Sequence, residues 1–399
     1  MRICYLNMPI ENYSPISGGA VSTVMMNQAR ELLLRGHEVF VLTRRCADPV
    51  YDVGRIVPIE VKERHELTFP ERAISKLRMK VGRWDYAYYQ YYRDSFMRAL
   101  RSIRPSPDVV IVHNDVGSLR HIRRVSLNAA LVVYMHNEQR TRQRHPEQEI
   151  RRADGVIAVS DYIRRWILEY YAPESTQVRS VLNGVDTEEF NPRNDWMEPR
   201  AAIKVLFVGR INQDKGPDIA VEAVSSLRRE GFAVELTVIG DVWWYTRAGD
   251  AVDPFYIRLK EAMRNDGISH LGHVSRHAIS SLMRDHDVLM VPSRWNDPCP
   301  LVPLEGMASG CAVIASRRGG IPDACGDAAI LCDPDQAGDF TNALRELIGS
   351  YQDLNVRKKA CRERAEQMTW CTNVDQLESF LAEAANKRRG SCPCVLNLS

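Results

Sequence analysis

The stretch IKVLFVGRINQDKGPDIAVEAVSSLRREGFAVELTVIGD, residues 203–241, contains one complete strand–helix–strand unit. Short runs rich in β-branched residues at its two ends predict strands, and the segment 216–230 between them repeats apolar residues at helical spacing. A helix that joins two strands in this way is the crossover connection of a parallel sheet. The stretch therefore predicts an α/β domain in which helices cover a parallel sheet.

The same alternation of strand and helix patterns extends over most of the chain in two successive arrays. Most of the strand-like runs are continuous apolar segments, which is typical of parallel strands buried on both faces. Between the arrays, residues 183–201 are polar and contain prolines without periodicity, which predicts a linker. The runs lie at 2–8, 37–43, 108–113, 130–136 and 154–160 in the first array, and at 203–210, 233–241, 269–274, 287–293, 310–316 and 328–334 in the second.

The predicted fold class is α/β, with two doubly wound, Rossmann-like domains that face a central cleft. We place the first domain at 1–190, the second at 191–370, and a C-terminal helix that packs back on the first domain, followed by a flexible tail, at 371–399. A length of 399 residues suits two domains. Because open α/β sheets bind ligands outside the carboxyl ends of their strands, we expect the site in the loops that follow the strands.

The composition argues against some classes of protein, such as nucleic-acid-binding proteins. The chain is 45% apolar and 26% charged, with a net charge of +2, so it lacks the basic excess of a nucleic-acid-binding protein. Several of the ten cysteines lie in apolar runs, which favours reduced, buried thiols. Cys392 and Cys394 form only half of a metal-binding pattern. With no apolar run of about 18 residues and no signal-peptide pattern, we expect a cytoplasmic protein.

The second array offers candidate anion-binding positions. Its first strand ends at Gly209, and the cations Arg210 and Lys215 follow in the loop before the helix, where a diphosphate or only solvent could be their partner. The next strand ends at Gly240 and Asp241. Trp243 and Trp244 after it would stack on a ligand or pack against the protein.

The first array has weaker signals of the same kind. Gly18 and Gly19 precede a helix, where glycines allow backbone N–H groups to approach an anion, although a simple turn needs the same residues. His113 and His136 end two strands, and each could contact a sugar or phosphate or serve a structural role. The Asp285–Asp287 pair leads directly into a core strand, and we reject it as a metal-binding D-x-D motif.

A basic and aromatic stretch covers residues 71–104. It has nine Lys and Arg residues against three acidic residues, and the tyrosine-rich segment WDYAYYQYY, 84–92, lies within it. Arg140, Arg142, Arg144, Arg151 and Arg152 add positive charge to the same half of the chain. Basic helices with interfacial aromatics bind anionic membranes, whereas a solvated helix face with tyrosines packed on the sheet would have the same composition.

Five segments together resemble the retaining glycosyltransferases of family 4, which have the GT-B fold. Within that family, the branch with spore-coat and polysaccharide-building transferases is the most similar. The resemblance covers nearly the whole chain, and the last three segments in this order make it specific. The segments are SGGAVSTVMMNQARELLLRGHEVFVLT, VIAVSDYIRRWI, VLNGVDTEEFNP, VLFVGRINQDKGPDIAVEA and VPSRWNDPCPLVPLEGMASGCAVIASRRGGIPD.

The resemblance implies a nucleotide-diphosphate sugar bound mainly by the second domain. Arg210 and Lys215 would contact the diphosphate, and Glu305 would accept hydrogen bonds from the ribose. Asp297 stands where the family usually has the first glutamate of an E-x7-E pair, which contacts the transferred sugar; Asp323 is a second departure from a usual glutamate. The backbone of Cys299, Pro300, Leu301 and Val302, together with Gly209, Gly240 and Asp241, would complete the donor site, while Gly18, Gly19, His113 and His136 would line the acceptor side.

The implied reaction moves a sugar to a hydroxyl acceptor with retention of anomeric configuration, with Asp297, His136, Arg210 and Lys215 as the catalytic set. Cations and helix N-termini would stabilise the leaving diphosphate, so neither a metal nor a cofactor is expected. Acceptors of polysaccharide, glycolipid or glycoside biosynthesis fit, including lipid-linked ones at the inner membrane face. Two alternatives remain, a sucrose-synthase-type enzyme with a small sugar acceptor and a catalytically degenerate protein that binds sugar nucleotides.

Overall fold

The computed structural model describes residues 1–8, 10–61, 66–73, 87–139, 145–173, 177–242 and 253–390. These residues form two compact units, one made of Met1–Val181 and the chain from Trp370 onward, the other of Leu182–Thr369. Several predictions fall outside the described residues: those on 74–86 of the basic stretch, on Arg140, Arg142 and Arg144, on Trp243 and Trp244, and on the cysteine pair of the tail.

The first unit is built on a seven-stranded parallel sheet in the order β3-β2-β1-β4-β5-β6-β7. Its strands are β1 Arg2–Leu6, β2 Glu38–Arg44, β3 Arg55–Ile59, β4 Val109–His113, β5 Ala130–Met135, β6 Gly155–Ala158 and β7 Gln177–Ser180. Its helices begin with α1 Ala20–Leu34, α2 Ala87–Ser102, α3 Leu119–Val125, α4 Pro146–Ile150 and α5 Asp161–Tyr171.

The second unit repeats this plan with a six-stranded parallel sheet in the order β10-β9-β8-β11-β12-β13. Its strands are β8 Ile203–Val208, β9 Val234–Ile239, β10 Ser269–His270, β11 Val288–Val291, β12 Ala312–Ser316 and β13 Ile330–Cys332. Its helices are α6 Pro217–Arg229, α7 Pro254–Asn265, α8 Arg276–Arg284, α9 Leu301–Ala308, α10 Ile321–Cys325, α11 Asp339–Gly349 and α12 Tyr351–Gln367.

The final helix, α13 Trp370–Gly390, belongs to the first unit, where it packs on α1 and β5. Glu378 on α13 forms an ion pair of 3.0 Å with Arg35, and its Oε1 lies 2.8 Å from His37 Nε2. Phe380 packs so closely on Gly155 at the start of β6 that a Cβ there would collide with its ring. The chain therefore returns to its first sheet after it has completed the second.

Both sheets have the strand order of a doubly wound fold, in which the direction of winding reverses once. In the first unit the reversal lies between β1 and β4, and in the second between β8 and β11. Ligands of such sheets bind at this switch point, outside the carboxyl ends of the two strands. The loops after β1, β4, β8 and β11 are therefore the first places to search for a site.

The segment 183–201, predicted as a linker, belongs to the second unit and packs on its core. The Val185 N–H donates to Met368 O at 2.8 Å, and Phe190 is fully buried in the core of that unit. Lys358, which is 1% exposed, donates from Nζ to Trp196 O and lies 3.1 Å from the Asp287 carboxylate. Phe190 and the contact of Trp196 with the buried Lys358 therefore anchor this segment to the unit. Its polar composition did not predict this anchoring.

The described cysteines are free thiols, and six of them are buried: Cys4, Cys299, Cys311, Cys325, Cys332 and Cys361. Burial raises the pKa of Cys299, Cys311 and Cys361 to about 12, so these thiols remain protonated at neutral pH. None of the helices in the described ranges is both long and apolar enough to cross a membrane.

Candidate functional site

In the second unit, two glycines bring the ends of β8 and β9 together. The N–H of Gly209 donates to Ile239 O at 3.0 Å, and a Cβ on Gly240, whose φ is +135°, would collide with the Gly209 carbonyl. The Ile211 N–H then donates to Asp241 O at 3.0 Å. These glycines are needed because the two strand ends approach each other so closely. The exposed Arg210 follows directly after Gly209, next to this contact.

The loops after β8 and β11 are held together by several hydrogen bonds. Asp214 O, in the turn before α6, accepts hydrogen bonds from the backbone N–H groups of Arg294 at 2.7 Å and Trp295 at 3.1 Å. The Arg294 guanidinium also pairs with both carboxylate oxygens of Asp218 at 2.8 and 2.7 Å. These contacts fix the loops on either side of the switch point against each other.

This arrangement makes Lys215 and Asp297 direct partners. Lys215 Nζ donates to Asp297 Oδ2, and the two side chains are 22% and 14% exposed. The ammonium group keeps further N–H bonds for other acceptors, since an ammonium has three. The structure therefore joins the residue predicted to bind a diphosphate to the residue predicted to contact the transferred sugar.

The backbone after Asp297 leads into the start of α9. Asp297 O accepts from the Gly320 N–H at 2.8 Å, and Gly319, with φ of +56°, lies where any Cβ would strike the Asn296–Asp297 backbone. Cys299 O accepts from Asn183 Nδ2 at 2.9 Å. Pro300 is the N-cap of α9 and provides no side-chain hydrogen bond, so the first N–H groups of this helix, at Leu301 and Val302, lack a side-chain cap.

Glu305 lies buried in the second turn of α9, and Arg276 of α8 forms an ion pair with it. Its side chain is 6% exposed, and Oε1 lies 2.8 Å from Arg276 Nη1. Burial raises the pKa of Glu305, while Arg276 opposes that shift. Arg276 also approaches Glu189 at 3.7 Å and the Phe190 ring, whose centroid lies 5.1 Å from its Cζ. Arg276 is thus the cation that lies next to the buried Glu305 carboxylate.

In the first unit, a carboxylate of the protein itself lies at the N-terminus of α1, next to Gly19. Glu11 Oε1 accepts from the Ser22 N–H at 2.8 Å, and a Cβ on Gly19 would press against this carboxylate. The N–H groups of Gly19 and Val21 also stabilise the charged form, while burial, the larger effect, raises the pKa of Glu11. The anion expected at this helix N-terminus is therefore Glu11 in this structure, and Gly19 allows its approach, while Gly18 lies close to the backbone carbonyls of Ser14 and Asn12.

The two histidines predicted for the acceptor side form a buried pair after β4 and β5. His113 Nδ1 and His136 Nε2 are 2.7 Å apart, and the rings stack with centroids at 4.9 Å. Burial lowers the pKa of His136 to about 3 and that of His113 well below its usual value, so both rings are neutral. The side chains of Tyr5 and Tyr134 stack on His113 at 5.6 and 5.7 Å.

Within each unit, the structure brings the sequence-predicted residues to the carboxyl edge of the sheet. In the second unit these are Gly209, Arg210, Lys215, Gly240, Asp241, Asp297, Cys299, Pro300, Leu301, Val302 and Glu305; in the first they are Gly18, Gly19, His113 and His136. Sequence reasoning missed Glu11, Asn114 and Arg276. Asn114 was detectable only as the neighbour of His113, whereas Glu11 and Arg276 lie in segments without a motif.

The comparisons with known proteins agree along the chain. The model for "Glycosyltransferase Family 4" matches residues 17–189, and the model for "Glycosyl transferases group 1" matches 190–368. The chain is 25% identical to D-inositol 3-phosphate glycosyltransferase of Corynebacterium aurimucosum, with 98% of each chain covered. It is 26% identical to spore coat protein SA of Bacillus subtilis, over 65% of this chain and 74% of that protein.

Solved structures share the fold at low sequence identity. Sucrose-phosphate synthase from Thermosynechococcus elongatus superposes with a TM-score of 0.76 at 17% identity, covering 97% of this chain and 99% of that one. The Anabaena protein HepE, solved in complex with UDP and glucose, superposes with a TM-score of 0.69 at 16% identity, covering 96% and 100%. The chain therefore belongs to the group 1, family 4 glycosyltransferases and has their GT-B fold of two Rossmann-like units with parallel sheets.

Proposed function

We propose that this protein transfers a sugar from a nucleotide-diphosphate sugar to a hydroxyl acceptor, with retention of anomeric configuration. The observation that carries the proposal is the linked pair of Lys215 and Asp297 at the switch point of the second unit. The Lys215 ammonium can bind a diphosphate. The Asp297 carboxylate beside it can accept hydrogen bonds from sugar hydroxyls and stabilise the positive charge of the sugar in the transition state. The family supports the transferase class.

In this proposal the second unit binds the donor. Arg210 and Lys215 hold the diphosphate, and the uncapped N–H groups at the start of α9 add the positive end of a helix dipole. Glu305, fixed by Arg276, accepts hydrogen bonds from the ribose hydroxyls. HepE, a structural relative, was solved with UDP and glucose, which supports a uridine nucleotide as the first donor to test.

The reaction then proceeds by departure of the nucleoside diphosphate from the anomeric carbon. Negative charge grows on the leaving phosphate, where Lys215 and Arg210 stabilise it in place of a metal ion. Positive charge grows on the sugar, where the Asp297 carboxylate stabilises it. The acceptor hydroxyl attacks from the face that the leaving group vacates, and its proton passes to the leaving phosphate oxygen.

We assign acceptor recognition to the first unit, through His136. The neutral state of this histidine favours a hydrogen-bonding role over that of a cation. Relatives named D-inositol 3-phosphate glycosyltransferase and spore coat protein SA support acceptors of glycolipid, polysaccharide or glycoside biosynthesis.

The basic stretch 71–104 supports docking of a cytoplasmic protein on an anionic membrane surface. On α2, Arg98 and Arg101 are exposed, while Tyr92 and Phe96 are buried in the unit. Exposed arginines bind anionic lipids electrostatically, so binding should fall with salt. Flotation with phosphatidylserine vesicles at low ionic strength tests this, and the absence of binding there would refute it.

The proposed activity is tested by thermal shift with a panel of nucleotide sugars, followed by release of nucleoside diphosphate in the presence of EDTA. Binding to the folded state raises the unfolding temperature by mass action. Lys215→Met should abolish most of the release, while Lys359→Met, which alters an exposed lysine on α12, should leave it unchanged. Binding without any release, with or without acceptor, would instead identify a degenerate protein that only binds sugar nucleotides.

A further inference from the structure

Two consecutive residues after β4 hold one residue after β5. Asn114 Oδ1 accepts a 2.7 Å hydrogen bond from the backbone N–H of His136, and His113 Nδ1 lies 2.7 Å from His136 Nε2. Asn114 can do so because its φ is +56°, a left-handed conformation that Asn tolerates better than most residues. Both the backbone and the ring of His136 are therefore fixed from the neighbouring strand.

The environment of the pair leaves the His113 ring little freedom. His113 is 1% exposed and lies between the stacked rings of Tyr5, Tyr134 and His136. Behind the tyrosines, the Tyr134 hydroxyl donates to Val181 O at 3.1 Å, and the Tyr5 hydroxyl donates to Gln28 Oε1 at 3.3 Å. A ring packed in this way keeps its Nδ1 directed at His136.

The hydrogen bond between two neutral rings has two possible directions, and the second nitrogen of His113 distinguishes them. His113 Nε2 is buried without a hydrogen-bond partner in the described part of the chain. If His136 donated, His113 would carry its proton on this buried Nε2 and leave an N–H unsatisfied, which is the rarer defect in proteins. If His113 Nδ1–H donates, the buried nitrogen is only a vacant acceptor.

We infer that His113 is a positioning residue that donates from Nδ1–H to His136 Nε2 and thereby holds His136 in the Nδ1–H tautomer. His136 then presents one N–H donor, its Nδ1–H. This Nδ1 has no hydrogen-bond partner within the described ranges. It offers this donor to an oxygen of the sugar or acceptor and does not act as a general base. The inference rests on the proposed function for the role of His136, but the tautomer itself does not depend on it.

The tautomer is measured directly on the full chain labelled with ¹⁵N histidine, by long-range ¹H–¹⁵N correlation spectra, with His136→Asn used to assign the signals. Wild-type His136 should show a protonated Nδ1 and a bare Nε2. His113→Asn should keep this pattern, because its amide offers a donor near the position of Nδ1. His113→Phe keeps the stacked ring without a donor, and His136 should shift toward Nε2–H, the form that a free imidazole prefers.

Activity provides the second readout. With His113→Phe, kcat for release of nucleoside diphosphate should fall roughly tenfold, as expected for one misdirected hydrogen bond, while KM for the donor changes little. His113→Asn should restore kcat to near the wild-type value, which a packing defect would not allow, since Asn fills less space than Phe.

A protonated Nε2 on wild-type His136, or a wild-type kcat in His113→Phe, would overturn the inference. If the wild-type protein turns over no nucleotide sugar, the proposed function fails, and the tautomer measurement still decides the direction of the hydrogen bond.

Discussion

The contact between Lys215 and Asp297 makes a quantitative prediction about donor binding. The Asp297 carboxylate occupies one N–H of the lysine that a diphosphate needs, and its charge repels that diphosphate. Asp297→Asn removes the charge and keeps the side-chain shape. We therefore expect this variant to bind free nucleoside diphosphate about fivefold more tightly, which corresponds to about 1 kcal/mol, while kcat for the intact nucleotide sugar falls about a hundredfold or more.

Lys215→Met should have the opposite effect on binding. Loss of a hydrogen bond from a charged donor costs about 1.5 to 3 kcal/mol, so affinity for the diphosphate should fall about tenfold to a hundredfold or more. The lysine and aspartate side chains are 22% and 14% exposed, which places the pair between exposed and fully buried ion pairs. The coupling energy in a double-mutant cycle for unfolding should therefore be about 1 to 3 kcal/mol.

The assay is isothermal titration calorimetry with the nucleoside diphosphate of the accepted donor, on the two single variants, the double variant and Lys359→Met as a control. Kinetics of diphosphate release supply kcat for the same proteins, and urea unfolding supplies the stability cycle. If Asp297→Asn weakens diphosphate binding as much as Lys215→Met does, or if the two changes are additive within about 0.5 kcal/mol in stability, the functional reading of this pair is incorrect.

Three further changes test other parts of the account. Glu305→Ala should weaken nucleoside diphosphate binding about tenfold and abolish the preference of the wild type for ribose over 2′-deoxyribose nucleotides in calorimetry; a retained preference would place ribose recognition elsewhere. Glu11→Ala removes the carboxylate from the α1 N-terminus, so the unfolding temperature should drop by about 2 to 4 °C and recover in phosphate more than the wild type does; equal phosphate effects would contradict this. Because folding lowers the pKa of His113 and His136 below that of the unfolded chain, their stabilisation is present above pH 6.5 and is lost as the pH falls, for His136 toward about 3. Urea unfolding of the full chain should lose about 2 kcal/mol from His136 between pH 7 and pH 5, with a further loss from His113, and the loss should disappear in the variant with Asn at both positions.

Much of the fold was predictable because the information is local. The apolar runs mark the strands, and helical periodicity marks the helices between them, so the alternation of strands and helices in both units follows from short segments. The seam between the units was harder, because the anchoring of 183–201 depends on Phe190 and Lys358, which are far apart in sequence. The return of the C-terminal helix to the first unit was predicted, but its contact with Gly155, more than 200 positions away in sequence, was not.

The sequence suggested candidate residues for the site but not their contacts. Motif and resemblance named Lys215, Asp297 and His136, yet each has a partner set by the order and register of the strands. The neighbouring positions of β8 and β11 make Lys215 and Asp297 meet, and the pairing of β4 with β5 sets His113 beside His136. Glu11 reaches the α1 N-terminus through a loop with no periodic pattern, so only the structure shows that this carboxylate fills it.

The most direct test of the central claim is the configuration of the first product, followed by proton NMR of the anomeric signals. The wild-type protein is incubated with an α-configured nucleotide sugar that it binds, in EDTA, and spectra are recorded before the free sugar can mutarotate. The account predicts release of nucleoside diphosphate together with an α-configured product, and loss of both signals in Asp297→Asn. A β-configured first product, or a donor that stays intact with every nucleotide sugar and acceptor tested, would contradict it.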